Sequence, residues 1–101
     1  MTLFIDTSDN KKAFVELDGE RIEVKSGLGS AQNVLLAIEK ILKQKRAKLS
    51  DLTEIKVKIG PGSFTGLKVG VTIANTLGYL LKIPVNGKKI GPKSIVEPKY
   101  K

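Results

Sequence analysis

Apolar and polar residues alternate with a period of two in four short runs. Leu3 and Ile5 alternate with Thr2, Phe4 and Asp6. Ala13, Val15 and Leu17 alternate with Phe14 and Glu16. Ile22 and Val24 alternate with Arg21, Glu23 and Lys25. Ile55, Val57 and Ile59 alternate with Lys56 and Lys58. Each run predicts a strand with one buried face and one wet face, since successive side chains point to opposite sides of a sheet. Asp18-Gly19 between the second and third runs is a hairpin signal. Two other stretches follow a helical period. Val34, Leu35, Ile38, Ile41 and Leu42 recur at three- and four-residue steps and predict a helix from Ser30 to Arg46. A second helix is predicted from Ser63 or Leu67 to Lys82. Ile83-Pro84-Val85 reads as a fifth strand. The predicted order is β-β-β-α-β-α-β.

Right-handed crossovers in the same direction place both helices on one face of the sheet. A parallel sheet covered on both faces would be apolar throughout, so the alternation predicts two layers. Phe4 and Phe14 are apolar spots on the wet face, where the C-terminal tail is expected to cover them.

At 101 residues there is room for one small domain. The chain has neither Cys nor His. That removes disulfides, thiol chemistry, the commonest general base and the commonest metal ligand. Asp and Glu are scattered singly, without a metal-binding cluster. The 18 Lys+Arg against 10 Asp+Glu give a net charge of +8. An acidic partner such as nucleic acid is one reading. A solvated Lys-rich surface is the other, favoured by the spread of the lysines. No signal-peptide pattern or long apolar run is visible, which points to the cytoplasm.

The most specific stretch is Gly60-Pro61-Gly62-Ser63-Phe64-Thr65-Gly66, between the fourth strand and the second helix. Its glycines and proline set backbone geometry, and Ser63 is a candidate N-cap. A glycine-rich turn at a helix start can cradle phosphate. Here the lysine and hydroxyl of a P-loop are missing, because Gly66 is followed by Leu67-Lys68-Val69, and the spacing is not the dinucleotide fingerprint. A structural turn that aims the helix is the favoured reading. Within that helix Gly66, Gly70, Ala74 and Gly78 form a ridge at four-residue spacing. Interior helical glycine costs roughly 0.8–1 kcal/mol relative to Ala, so the ridge needs close backbone approach to compensate. Either the chain's own sheet and first helix or a second molecule can supply it. The apolar arc, about half the circumference against the ~100° that one core contact needs, leans towards a second molecule.

The run from Gly60 to Leu77, followed by Lys82-Ile83-Pro84-Val85, resembles the signature of the bacterial TsaB (YeaZ) family. Phe4-Ile5-Asp6-Thr7-Ser8 resembles that family's first strand and turn. The resemblance covers residues 2–87. It implies an α/β, ribonuclease H-like (actin/hexokinase/Hsp70-like) single lobe, here a five-stranded mixed sheet with two helices on one face. It also implies a role in making N6-threonylcarbamoyladenosine in tRNA, as a catalytically inactive paralogue. Such a subunit pairs through its two helices with a TsaD-type catalytic subunit, or with itself as a homodimer, and contacts tRNA only indirectly. The implied partner interface is Val34, Leu35, Ile38, Ile41, Leu42, Gly66, Leu67, Gly70, Val71, Ala74, Leu77 and Gly78, with Gly60 to Thr65 as loop and helix start. No cofactor or metal is implied, and a nucleotide only at a joint interface.

Three features depart from the family pattern. Ser26-Gly27-Leu28-Gly29-Ser30-Ala31-Gln32 replaces the usual turn before the first helix. Asn86-Gly87-Lys88-Lys89-Ile90-Gly91-Pro92 does not match the expected helix. Family members usually carry a second lobe, and this sequence ends near where it would begin, although Pro98-Lys99-Tyr100 resembles a Pro-x-Tyr near the family's C-terminus. A minimal form follows as an expectation, with a lobe over 1–87 and a basic tail over 88–101. The rival reading is a small basic RNA-binding module that uses the Lys-rich sheet face or Lys88, Lys89, Lys93, Lys99 and Lys101. A small hydrolase is the remaining alternative, and the lack of His, Cys and a carboxylate pair argues against it.

Overall fold

The computed structural model describes residues 1–9, 11–25 and 30–99. The turn at Ser26 to Gly29 and the last two residues, Tyr100 and Lys101, lie outside them. The elements are β1 (Thr2–Asp6), β2 (Lys12–Leu17), β3 (Glu20–Lys25), α1 (Ser30–Gln44), a single 3₁₀ turn (Leu49–Asp51), β4 (Glu54–Val57) and α2 (Phe64–Leu81). Asp18 and Gly19 join β2 to β3 with φ of 44° and 94°. Positive φ at both positions matches the right-handed twist of the flanking strands.

The sheet order is β3-β2-β1-β4. β1 pairs antiparallel with β2, Ile5 opposite Val15, and parallel with β4, Ile5 opposite Val57. The period-two pattern fixes this register, because a slip of one residue would expose every apolar side chain. Leu3, Ile5, Ala13, Val15, Leu17, Ile55 and Val57 all point into one layer and are buried. Helix α1 covers β2 and β3, and α2 covers β1 and β4. From above, Val34, Ala37, Ile38, Ile41, Val71 and Ala74 close the core. Among the described residues, no helix is long and apolar enough to cross a membrane.

The expected fifth strand does not form, and the sheet has four strands. Val85 makes a single parallel bridge to Ile55. Pro84 has no N–H to donate, and the chain reverses at once through Asn86 and Gly87, with φ of 51° and 77°. Asn86 then does a strand's work with its side chain. The Val57 N–H donates to Asn86 Oδ1 at 2.8 Å, and Asn86 Nδ2 donates to the Val57 carbonyl at 2.9 Å. The Lys99 N–H satisfies the Ile59 carbonyl at 2.7 Å. The outer edge of β4 is thus closed without a strand, which removes a template for edge-to-edge association.

Residues 88–99 pack on the lobe instead of hanging free. Asn75 on α2 donates to the Val96 carbonyl at 2.8 Å and accepts the Val96 N–H at 3.0 Å. Val96 itself is buried. The Phe14 ring is covered by cationic side chains of β2 and β3. Lys12 and Arg21 lie over that ring, at 5.6 and 4.8 Å from its centroid, and screen it with their own stems.

Candidate partner-docking surface

The glycine loop is tied to the end of β1. The Ser63 N–H donates to the Ser8 carbonyl at 2.7 Å. Gly62 lies so close to Ser8 that a Cβ on it would stand 2.6 Å from the Ser8 carbonyl oxygen. Its φ of 155° adds a second reason for glycine. Ser63 caps α2, its Oγ accepting the Gly66 N–H at 3.3 Å. Two backbone donors that a phosphate cradle would use are therefore bonded within the fold. Asp6 is likewise engaged: its Oδ1 accepts from the Ser8 N–H and hydroxyl, at 2.9 and 2.6 Å.

Thr7 explains the small-residue ridge. It is the one buried polar or charged side chain among the described residues. Its hydroxyl donates to the Gly66 carbonyl at 2.6 Å and accepts the Gly70 N–H at 3.0 Å. Residues 66 and 70 are i, i+4 partners in a regular helix, so the hydroxyl bridges the rungs of α2's own ladder. A Cβ at Gly70 would lie 2.5 Å from Thr7 Oγ1, and one at Gly66 would run into the Thr7 carbonyl oxygen. At Gly78 a Cβ would lie 2.5 Å from Val85 Cγ2. The ridge is where α2 presses on β1 and on the 83–85 segment.

This placement divides the residues expected at a partner interface. Val34, Ile38, Ile41, Leu42, Leu67, Gly70, Val71, Ala74 and Gly78 are buried within the chain's own fold. Most of them are used by the fold itself, while Ile38 and Leu42 also form the floor of a groove at the surface. Gly66 and Leu77 are half-buried, and Leu35 is exposed. Of the loop residues, Pro61, Gly62, Phe64 and Thr65 are exposed, with Gly60 and Ser63 half-buried.

Leu35 and Leu77 face a groove of about 410 Å³ between α1, α2 and the turn after α1. Leu49 completes its apolar lining, and Glu39, Lys43 and Lys48 bring both signs of charge to it. Leu35 is 49% exposed and Leu49 41%. Leu36, Phe64, Tyr79, Leu80 and Ile95 are further exposed large apolar residues. Sequence periodicity found Leu35 and Leu77 but missed Leu49, because a lone leucine in a turn carries no period. It also missed Thr7, Asn75 and Asn86. Only Asn86 had a usable signal, the Asn-Gly pair that marks a tight turn.

Residues 28–87 match the family model described as TsaD, tRNA N6-adenosine threonylcarbamoyltransferase. The chain is 53% identical over 36 residues to the tRNA threonylcarbamoyladenosine biosynthesis protein TsaB of Bacillus subtilis, covering 36% of this chain and 16% of that protein. It is 39% identical over 54 residues to the TsaB of Buchnera aphidicola from Schizaphis graminum, 54% of this chain and 26% of the relative. A tRNA N6-adenosine threonylcarbamoyltransferase of Listeria monocytogenes is 38% identical over 56 residues, 55% of this chain and 16% of the relative. The solved YeaZ from Pseudomonas aeruginosa superposes with a TM-score of 0.70 at 25% identity, covering 83% of this chain and 41% of that one. The chain thus spans less than half the length of each of these proteins.

Proposed function

The chain belongs to the family of the tRNA N6-adenosine threonylcarbamoyltransferase model, on its TsaB (YeaZ) side, and on that premise we propose that it is a non-catalytic partner subunit in tRNA N6-threonylcarbamoyladenosine modification. Its fold is the ribonuclease H-like α/β lobe of that family, with a four-stranded mixed sheet and two helices. In this reading it docks on a catalytic paralogue of the same fold in the cytoplasm, or on a second copy of itself. tRNA chemistry is then the partner's task.

The observation that carries the reading is the groove between α1 and α2. Leu35 and Leu49 stand beside it at 49% and 41% exposure, although burial would gain roughly 25 cal/mol per Å² of apolar surface. A pair of helices with such a seam suits ridges-into-grooves packing against two helices of another subunit. A standard interface buries about 1,600 Å² in total, a scale that two helices of this length can reach. The docking surface is the outward row, not the inward ridge. Catalysis is assigned to the partner because the chain has no His or Cys and its Asp6 carboxylate is held by Ser8.

The test is co-purification of the tagged chain with the catalytic paralogue from co-expressing cells. Size-exclusion light scattering of the chain alone would follow self-pairing. The wild-type chain is expected to pair, and L35D/L49D to elute as a folded monomer. If L35D/L49D pairs as well as wild type, the groove is not the docking surface.

A further inference from the structure

A second concavity, of about 650 Å³, opens where α2 ends and the tail begins. That is within the ~300–1,000 Å³ range of small-molecule sites. Gly78, Ile83 and Ile90 give it apolar lining, Tyr79 and Leu80 form a wall, and Lys82 and Lys89 supply two ammonium groups. None of the lining residues carries a carboxylate. Tyr79 and Leu80 are 54% and 67% exposed. Both also line a neighbouring depression that reaches Ile95, and Ile95 in turn borders a third one holding Lys88 and Lys93. Lys82 and Lys89 thus stand at one end of this row of depressions, and Lys88 and Lys93, beside Glu97, at the other.

We propose that this cleft binds single-stranded RNA, a base lying against Tyr79 and Leu80 and its flanking phosphates on Lys82 and Lys89. The physical division is imposed by the helix end. The last carbonyls of α2 put partial negative charge at the cleft, which is hostile to a phosphate on the floor. An uncharged ring can occupy the floor while phosphates stay at the flexible, exposed ammonium groups. A base–aromatic stack is indifferent to sequence, because every base has a π face. An acidic peptide would satisfy the lysines but would leave the flat apolar wall without a matching group. The choice of RNA as the polyanion rests on the tRNA-modification reading. The cleft is separate from the groove beside Leu35, so the two can fail independently.

The test is fluorescence anisotropy of the full chain with a fluorescein-labelled eight-nucleotide adenosine-rich RNA, and with a labelled polyglutamate of equal charge as the competitor class. Binding of the RNA is expected to weaken steeply with salt, because each phosphate contact adds roughly 0.7 to the log–log slope for single strands. K82E/K89E should lose at least tenfold in affinity and lower that slope. Y79A should lose about fivefold while keeping the slope. K11E/K56E carries the same charge change just before β2 and on β4, and should stay within twofold of wild type. Equal losses in K11E/K56E and K82E/K89E would reduce the effect to net charge and overturn the proposal. Tighter binding of polyglutamate than of RNA, or no effect of Y79A, would overturn it as well. Survival of RNA binding in L35D/L49D would confirm that the cleft acts apart from the pairing surface.

Discussion

Helix α2 presents two faces that use opposite chemistry. Its inner face is a row of small residues, Gly66, Gly70, Ala74 and Gly78, pressed against Thr7 and Val85. Away from that row α2 carries large exposed residues, Phe64, Tyr79 and Leu80. The inner row lets backbone approach backbone closely enough for the Thr7 hydroxyl to enter the helical ladder. Tyr79 and Leu80, away from it, are 54% and 67% exposed. The lesson is that small residues in register mark a close approach without saying to what. Here the approach is intramolecular, and the docking surface proposed above lies instead at the groove lined by Leu35, Leu49 and Leu77.

That contrast can be broken by four experiments of decreasing effect. G70L should destabilise the lobe itself by about 3 kcal/mol or more, since overpacking costs typically 1–3 kcal/mol and here even a Cβ meets Thr7. In a domain of this size that lowers Tm by on the order of 15 °C, readable by thermal circular dichroism. A folded G70L with unchanged Tm that merely fails to pair would show the ridge facing outward after all. The mirror substitution, L35D/L49D, should weaken pairing more than tenfold and leave Tm within a few degrees. Exposed positions away from special contacts usually change stability by about 0.5 kcal/mol or less each.

The next effects are local. T7V keeps the volume but removes the bridging hydroxyl, leaving the Gly70 N–H and Gly66 carbonyl facing a methyl group. The expected cost is about 2 kcal/mol by urea denaturation, with faster amide exchange at Gly70. T7S should recover most of it. N86A removes two hydrogen bonds to Val57 and should cost about 1–2 kcal/mol. Its exchange signature belongs at Val57 and nowhere on α2. An unchanged Val57 amide in N86A would mean that the β4 edge is sealed by something other than this side chain.

Much of the architecture was legible in the chain. The period-two runs placed β1, β2, β3 and β4 to within two residues at their ends. The three- and four-residue steps placed α1 and α2, and Asp18-Gly19 gave the hairpin. Ser63 could be read as a cap because hydroxyl side chains at helix starts have one frequent use. The fifth strand was misjudged for a local reason: three apolar residues look the same whether the chain continues or turns. Asn86-Gly87 makes it turn, and the asparagine amide supplies the bonds that two more strand residues would have made.

The alternation of Leu3, Ile5, Val15, Leu17, Ile55 and Val57 with mostly polar neighbours was enough by itself to determine a one-sided sheet, because burial of apolar area needs no knowledge of the partner layer. The run Gly60 to Leu77 likewise determined a loop that launches a helix with a row of small residues. What that row touches was decided only by tertiary structure. Helical spacing fixes which residues share a face, but the direction of the face depends on where β1 delivers Thr7, some sixty residues away in the chain. A single buried hydroxyl, with no periodicity to announce it, holds the ridge inward, while Leu35, Leu49 and Leu77 line a groove at the surface.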